Sequence, residues 1–159
     1  MQFSNTITIC RPAADVFAFL SHLENLPRWN YAICETRMTS PEPVGVGSRY
    51  VQTRRLPTRS TDMLEIIEYL PNQTLSIRGR FGLLSGTSTY LLEGFGDITR
   101  LTNTMNLITT GALSVVALVA TAQVRSAVAA NLVVLKEIVE GLQRRRDADD
   151  APETRIRSL

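Results

Sequence analysis

Near the start of the chain, apolar and polar residues alternate. Phe3, Ile7 and Ile9 alternate with Ser, Asn and Thr up to Cys10, which predicts a short strand. At Arg11-Pro12 the period changes, and Val16, Phe17, Phe19 and Leu20 predict a short helix. Pro12 suits its first turn, where no backbone donor is needed, and Asp15 sits near its positive end. Leu23-Glu-Asn-Leu-Pro27 predicts a second brief helix or turn ending at Trp29. Strand patterns then occupy 31–38, 49–55, 61–70, 75–80, 87–95 and 99–109, divided by turn chemistry. Ser40-Pro-Glu-Pro43, Gly45-Val-Gly47, Leu56-Pro-Thr58, Pro71-Asn-Gln73 and Gly94 to Asp97 supply the breaks. With the first strand this makes seven, and hairpin-length connections predict an antiparallel sheet.

A helix from Ala112 to about Arg146 follows Gly111 with no Pro to interrupt it. Its first half, 112–122, is apolar on every face. Its second half narrows to a stripe of Val124, Val128, Leu132, Leu135, Ile138 or Val139, and Leu142. A helix that needs cover on more than one side predicts a sheet curved around it. The fold class is therefore α+β: two short helices after the first strand, then a curved antiparallel sheet wrapped around a long C-terminal helix. Residues 1–146 form one domain, and the charged tail 147–159 is expected to be disordered.

Composition narrows the function classes. The chain has 159 residues, 44% of them hydrophobic and 20% charged, as in an ordinary globular domain. A net charge of +2 gives no electrostatic footprint for nucleic acid or an anionic membrane. The run 112–122 is too short to span a bilayer, and the N-terminus shows no signal-peptide pattern. Cys10 and Cys34 lack metal or redox spacing and are expected to be buried free thiols, which fits a cytoplasmic location. One histidine and two scattered cysteines offer no metal site, and no nucleotide-binding glycine loop is present, so no cofactor is expected.

Several stretches carry a family resemblance. They are Ile7-Thr-Ile-Cys-Arg-Pro-Ala-Ala-Asp-Val-Phe-Ala-Phe-Leu20, Leu23-Glu-Asn-Leu-Pro-Arg-Trp29 and Val46-Gly47, followed by Glu68-Tyr-Leu-Pro71, Thr99-Arg-Leu-Thr102 and Asn131-Leu-Val-Val-Leu-Lys136. In this order they resemble the START-like SRPBCC superfamily, and within it the polyketide cyclase/dehydrase branch, over roughly residues 3 to 143. The resemblance implies a helix-grip fold, a deep apolar cavity between sheet and helix, and small hydrophobic ligands. It does not imply one chemistry.

Alternation puts Leu101, Asn103, Met105 and Leu107 on one face of the last strand, and Tyr90 and Leu92 inward on the strand before it. Tyr69, Ile77 and Phe81 come from mid-sheet, Trp29 from where helix meets sheet, and Val116, Ala120, Gln123, Ala127 and Asn131 from the helix. Of these, Trp29, Tyr69, Phe81, Tyr90, Leu92, Asn103, Met105, Val116, Ala120 and Asn131 are the ligand-binding candidates, although any one can equally be core. Asn103 interrupts an apolar row and needs partners, supplied by a ligand, a neighbour or a water. Tyr50, Tyr69 and Tyr90 offer hydroxyls.

Chemistry is sparser. His22, the one histidine, has no paired nucleophile or orienting acid and is expected at the surface. Arg54, Arg55, Arg59, Arg78 and Arg80 are expected to pair with Glu65 and Glu68 on the solvated outer face, an anion patch being the alternative. Arg144 to Arg146 complement a helix C-terminus and are followed at once by Asp147, Asp149 and Asp150. No catalytic set can be assigned. Two functions remain: binding or carriage of a small hydrophobic molecule (lipid, isoprenoid or polyketide-like), or a polyketide cyclase/aromatase or dehydrase working in the same cavity. A third reading makes the apolar start of the last helix a dimer or partner surface, so the chain is a monomer or a homodimer.

Overall fold

The computed structural model describes residues 1–56, 59–81 and 84–108 and a helix over 114–149, the side chains of that helix over 122–142. The elements run β1 (Gln2–Ile9), α1 (Ala13–Ser21), a 3₁₀ turn (Leu23–Asn25), α2 (Leu26–Trp29), β2 (Ile33–Met38) and β3 (Arg49–Arg54). Then come β4 (Ser60–Leu70), β5 (Thr74–Phe81), β6 (Leu84–Phe95), β7 (Ile98–Ile108) and α3 (Ser114–Asp149). The strands form one antiparallel sheet in the order β1-β7-β6-β5-β4-β3-β2. This is the α+β helix-grip arrangement. Helix α3 continues to Asp149, three residues into the expected tail, and 150–159 lie outside the described residues.

From β2 to β7 the sheet is a meander of local hairpins, and its turns follow from residue type. Pro71 and Asn72 occupy the centre of the β4–β5 turn, with Asn72 at φ 64° and the Gln73 N–H donating to Leu70 O at 3.0 Å. Gly96, also at φ 64°, turns Phe95 back onto Ile98. β1 breaks the local order by pairing with β7, with Phe3 opposite Met105, Asn5 opposite Asn103 and Ile7 opposite Leu101. Its outer edge is covered by α3, where Lys136 Nζ donates to Thr8 O at 2.8 Å and the Cys10 N–H donates to Glu140 Oε1 at 2.7 Å. An edge strand capped this way presents fewer free groups to another chain.

The core lies on the concave face. Leu64, Ile66, Leu75, Ile77 and Leu101 from the sheet join Val16, Phe17 and Leu20 of α1 and Leu132, Leu135 and Val139 of α3. The predicted helical stripe is graded: those three α3 residues are buried, Val124, Val128 and Ile138 are half-buried, and Leu142 is exposed. Burying one such leucine contributes about 1.5–3 kcal/mol. The cysteines depart from expectation, since both are exposed. Cys10 follows Ile9 and so falls on the opposite side of the inward row Phe3, Ile7, Ile9. Cys34 sits in a β-bulge between Ile33 and Glu35, which turns it outward.

Candidate functional site

The middle of the concave face is polar. Tyr90 and Asn103 are directly paired across β6 and β7, and Asn103 is 0% exposed. Its Nδ2 donates to Ser88 Oγ at 2.8 Å and, at 3.4 Å, to Thr89 O. Burial raises the Tyr90 pKa above the usual phenol value, with Ser88 acting weakly in the opposite direction. Asn103 Oδ1 is buried with no protein partner. Trp29 stands edge-on to the Tyr90 ring, with centroids 6.4 Å apart at 85°. The β6–β7 register thus sets Tyr90 beside Asn103, α2 brings Trp29 against Tyr90, and Leu92 lies buried in the same core as these two rings.

Toward one end of the sheet the lining turns apolar. Phe3, Met105 and Leu107 form a separate buried cluster, with Phe81, Leu84, Val124 and Val128 packed against it. Of the remaining candidates, Tyr69 is half-buried and edge-on to Phe17 of α1 at 5.1 Å, on the other side of the main core. Asn131 is buried on α3 beside Leu132. The side chains of Val116 and Ala120 lie outside the described residues, Gln123 is exposed and Ala127 half-buried.

Across the sheet, on β2 to β4, lies a polar row that the sequence reading missed. Thr36 is opposite Gln52, and Gln52 opposite Asp62; all three are buried. Tyr50 and Arg54 flank Gln52 on the same face of β3, and both are buried. The Tyr50 pKa is pushed up to about 12, chiefly by burial. Asp62 Oδ2 accepts from Ser60 Oγ at 2.9 Å, and its Oδ1 lies 3.8 Å from Arg80 Nε. Arg54 corrects the expectation of outer-face pairing. It shares the inward alternation of Tyr50 and Gln52, a signal present in the sequence as soon as Tyr50 is placed inward. Arg78 does pair outside as expected, donating to Glu65 at 2.8 Å, and that bond holds the Glu65 carboxyl below its usual pKa.

Other features lie off this face. His22 is exposed, with Nδ1 2.8 Å from Ala18 O. A surface depression of about 280 Å³ lies between α1 and α3, and one of about 180 Å³ lies on the convex side beside Arg49, Glu65 and Arg78. Among the described residues no cluster of His, Cys, Asp or Glu could hold a metal, and no helix is long and apolar enough to cross a membrane.

The family model described as polyketide cyclase / dehydrase and lipid transport matches residues 1–140. The chain belongs to this family. No curated protein matches it by sequence. Solved structures share the family's START-like fold at low identity. A Thermus thermophilus protein is 15% identical at a TM-score of 0.72, covering 89% of this chain and 99% of its own. The Zhui aromatase/cyclase of a Streptomyces species is 15% identical at 0.70, covering 92% and 95%. A START superfamily protein of Mycobacterium smegmatis is 14% identical at 0.68, covering 89% and 98%. At such identities the likeness is one of fold.

Proposed function

We propose that this family member binds or carries a small, mostly apolar molecule in a cavity between the concave face and α3. The supporting observation is Asn103: a fully buried amide midway along an apolar strand face, bonded to Ser88 through its nitrogen and left with an orphan oxygen. A strand face that only had to pack would be more stable with an aliphatic residue there, since an unpaired buried acceptor costs about 1–3 kcal/mol. In a ligand site the same oxygen receives a hydroxyl or other donor and fixes the ligand's orientation. Trp29, Tyr90 and Leu92 would form the wall beside Asn103, and Met105 and Phe81 the apolar end. Tyr69, Asn131, Val116 and Ala120 would complete the lining. The family description includes lipid transport, which fits a carrier.

A cyclase or dehydrase, as in the aromatase/cyclase that shares the fold, needs an acid/base pair converging on the substrate. Tyrosine hydroxyls are already protonated near neutral pH and burial raises the Tyr50 and Tyr90 pKa further, so neither serves as a base there, and His22 is on the surface against Ala18. Binding is therefore the reading adopted. Native mass spectrometry of the purified protein, with solvent extraction of what it retains, tests it. A co-purifying lipid or polyketide-like mass is expected. An empty protein that also ignores a neutral fluorophore such as N-phenyl-1-naphthylamine would sink it.

A further inference from the structure

The β2–β4 row carries a feature that an apolar cavity does not require. Arg54 is 8% exposed, yet among the described residues its guanidinium has no hydrogen bond and no carboxylate within 4.0 Å. Asp62 acts on it only through space and spends its oxygens on Ser60 and Arg80. A guanidinium stays protonated in a protein, and the Nε of this one is buried without a partner. Its neighbours are orphaned as well. Arg54 Nε, Gln52 Nε2, Thr36 Oγ1 and the Tyr50 hydroxyl are all buried without partners. The first two can only donate, and the two hydroxyls can also donate. Gln52 and Arg54 project from one strand face two residues apart, about 6.6 Å along the strand, and Thr36 stands opposite Gln52. Four unpaired donors, one of them charged, thus line one row on the inward face of β2 and β3.

We infer that Arg54 and Gln52, with Thr36 and Tyr50, form a subsite for the carboxylate of an otherwise apolar ligand. Resting on the concave-face binding proposed above, this names the ligand class: an amphipathic acid, with its chain on β1, β7 and α3 and its head on β3. The carboxylate supplies the counter-ion and acceptors that these side chains lack, through charge-assisted hydrogen bonds that an alcohol of equal length forms more weakly.

Displacement of N-phenyl-1-naphthylamine by dodecanoate and by dodecanol, at pH 8, tests this. Wild-type protein should bind the fluorophore and prefer dodecanoate over dodecanol by about tenfold or more. Arg54→Met should keep fluorophore binding and lose the preference, Arg54→Lys should keep part of it, and Gln52→Leu should reduce it. Equal competition by the two probes in the wild type overturns the subsite and leaves the apolar pocket standing; that comparison needs no variant to fold. A preference that survives in folded Arg54→Met overturns it too. If the wild type binds neither fluorophore nor either chain, the pocket fails and the subsite with it.

Discussion

Replacing Asn103 by leucine separates a ligand-orienting amide from a structural one. The substitution removes a good hydrogen bond to Ser88 and a marginal one to Thr89. Together these contribute about 1–1.5 kcal/mol. It also removes the orphaned Oδ1, whose burial costs about 1–3 kcal/mol. Ser88 Oγ loses its Asn103 donor, which offsets part of that relief. The two effects nearly cancel, and Asn103→Leu should lie within about 1 kcal/mol of wild type, or within about 4 °C in melting temperature for a chain of this size. Ser88→Ala should be worse, because it strands the Asn103 amide hydrogens and relieves nothing. Urea and thermal melts of the ligand-stripped protein measure both. Asn103→Leu should also weaken the retention of any co-purifying ligand. A loss above about 2 kcal/mol for Asn103→Leu, with Ser88→Ala milder, would mean that Oδ1 is satisfied by bound water and the amide is structural.

Gly86→Ala should cost more than about 2 kcal/mol, because the new methyl would meet the backbone of Asn106 and lie 3.0 Å from Leu107 Cα, forcing β6 from β7; Gly45→Ala meets nothing and should be close to neutral by chemical denaturation. Leu135→Ala empties a fully buried site and should lose about 2–5 kcal/mol. Both buried tyrosines hold their protons more tightly than in the unfolded chain, so stability should be flat up to about pH 10 and fall as pH rises toward 12, readable as late phenolate absorbance alongside unfolding. Glu93→Gln breaks an exposed pair with Arg100 and should leave the melting curve nearly unchanged, the more so in high salt.

The fold was legible because two periods and a few turn residues carry it. Period-two alternation marks the strands, the α3 stripe is helical, and Pro71-Asn72 and Gly96 place their turns. On β7 the inward set Leu101, Asn103, Met105 and Leu107 follows from alternation alone, as does the inward placement of Tyr90 and Leu92 on β6; their register does not. The polar row did not, for two physical reasons. Arginine is so rarely buried unpaired that Arg54 is normally assigned to solvent. The shifts at Ile33/Glu35 and Ile66/Glu68 also break the two-residue count that would have carried the inward face from β2 and β4 to β3. Exposed Cys34 is a product of the first of those shifts. That Ser88 satisfies the Asn103 nitrogen and leaves its oxygen bare depends on side-chain rotamers, which no periodicity encodes.

The position of β1 at the far edge of the sheet bears on how the chain is made. Strands β2 to β7 leave the ribosome as successive hairpins, each able to pair with the strand just before it. β1 emerges first, but its partner β7 lies about a hundred residues later, as the Ser4–Thr104 bond shows. At about 5–20 residues per second, β1 waits for several seconds with Phe3, Ile7 and Ile9 unburied. Its closure, and the docking of α3 over it, come after nearly all of the chain has been synthesised, making this seam the step at which the nascent protein is most exposed to aggregation and most in need of a chaperone. Hydrogen-exchange pulse labelling during refolding should find β5 and β6 protected before β1.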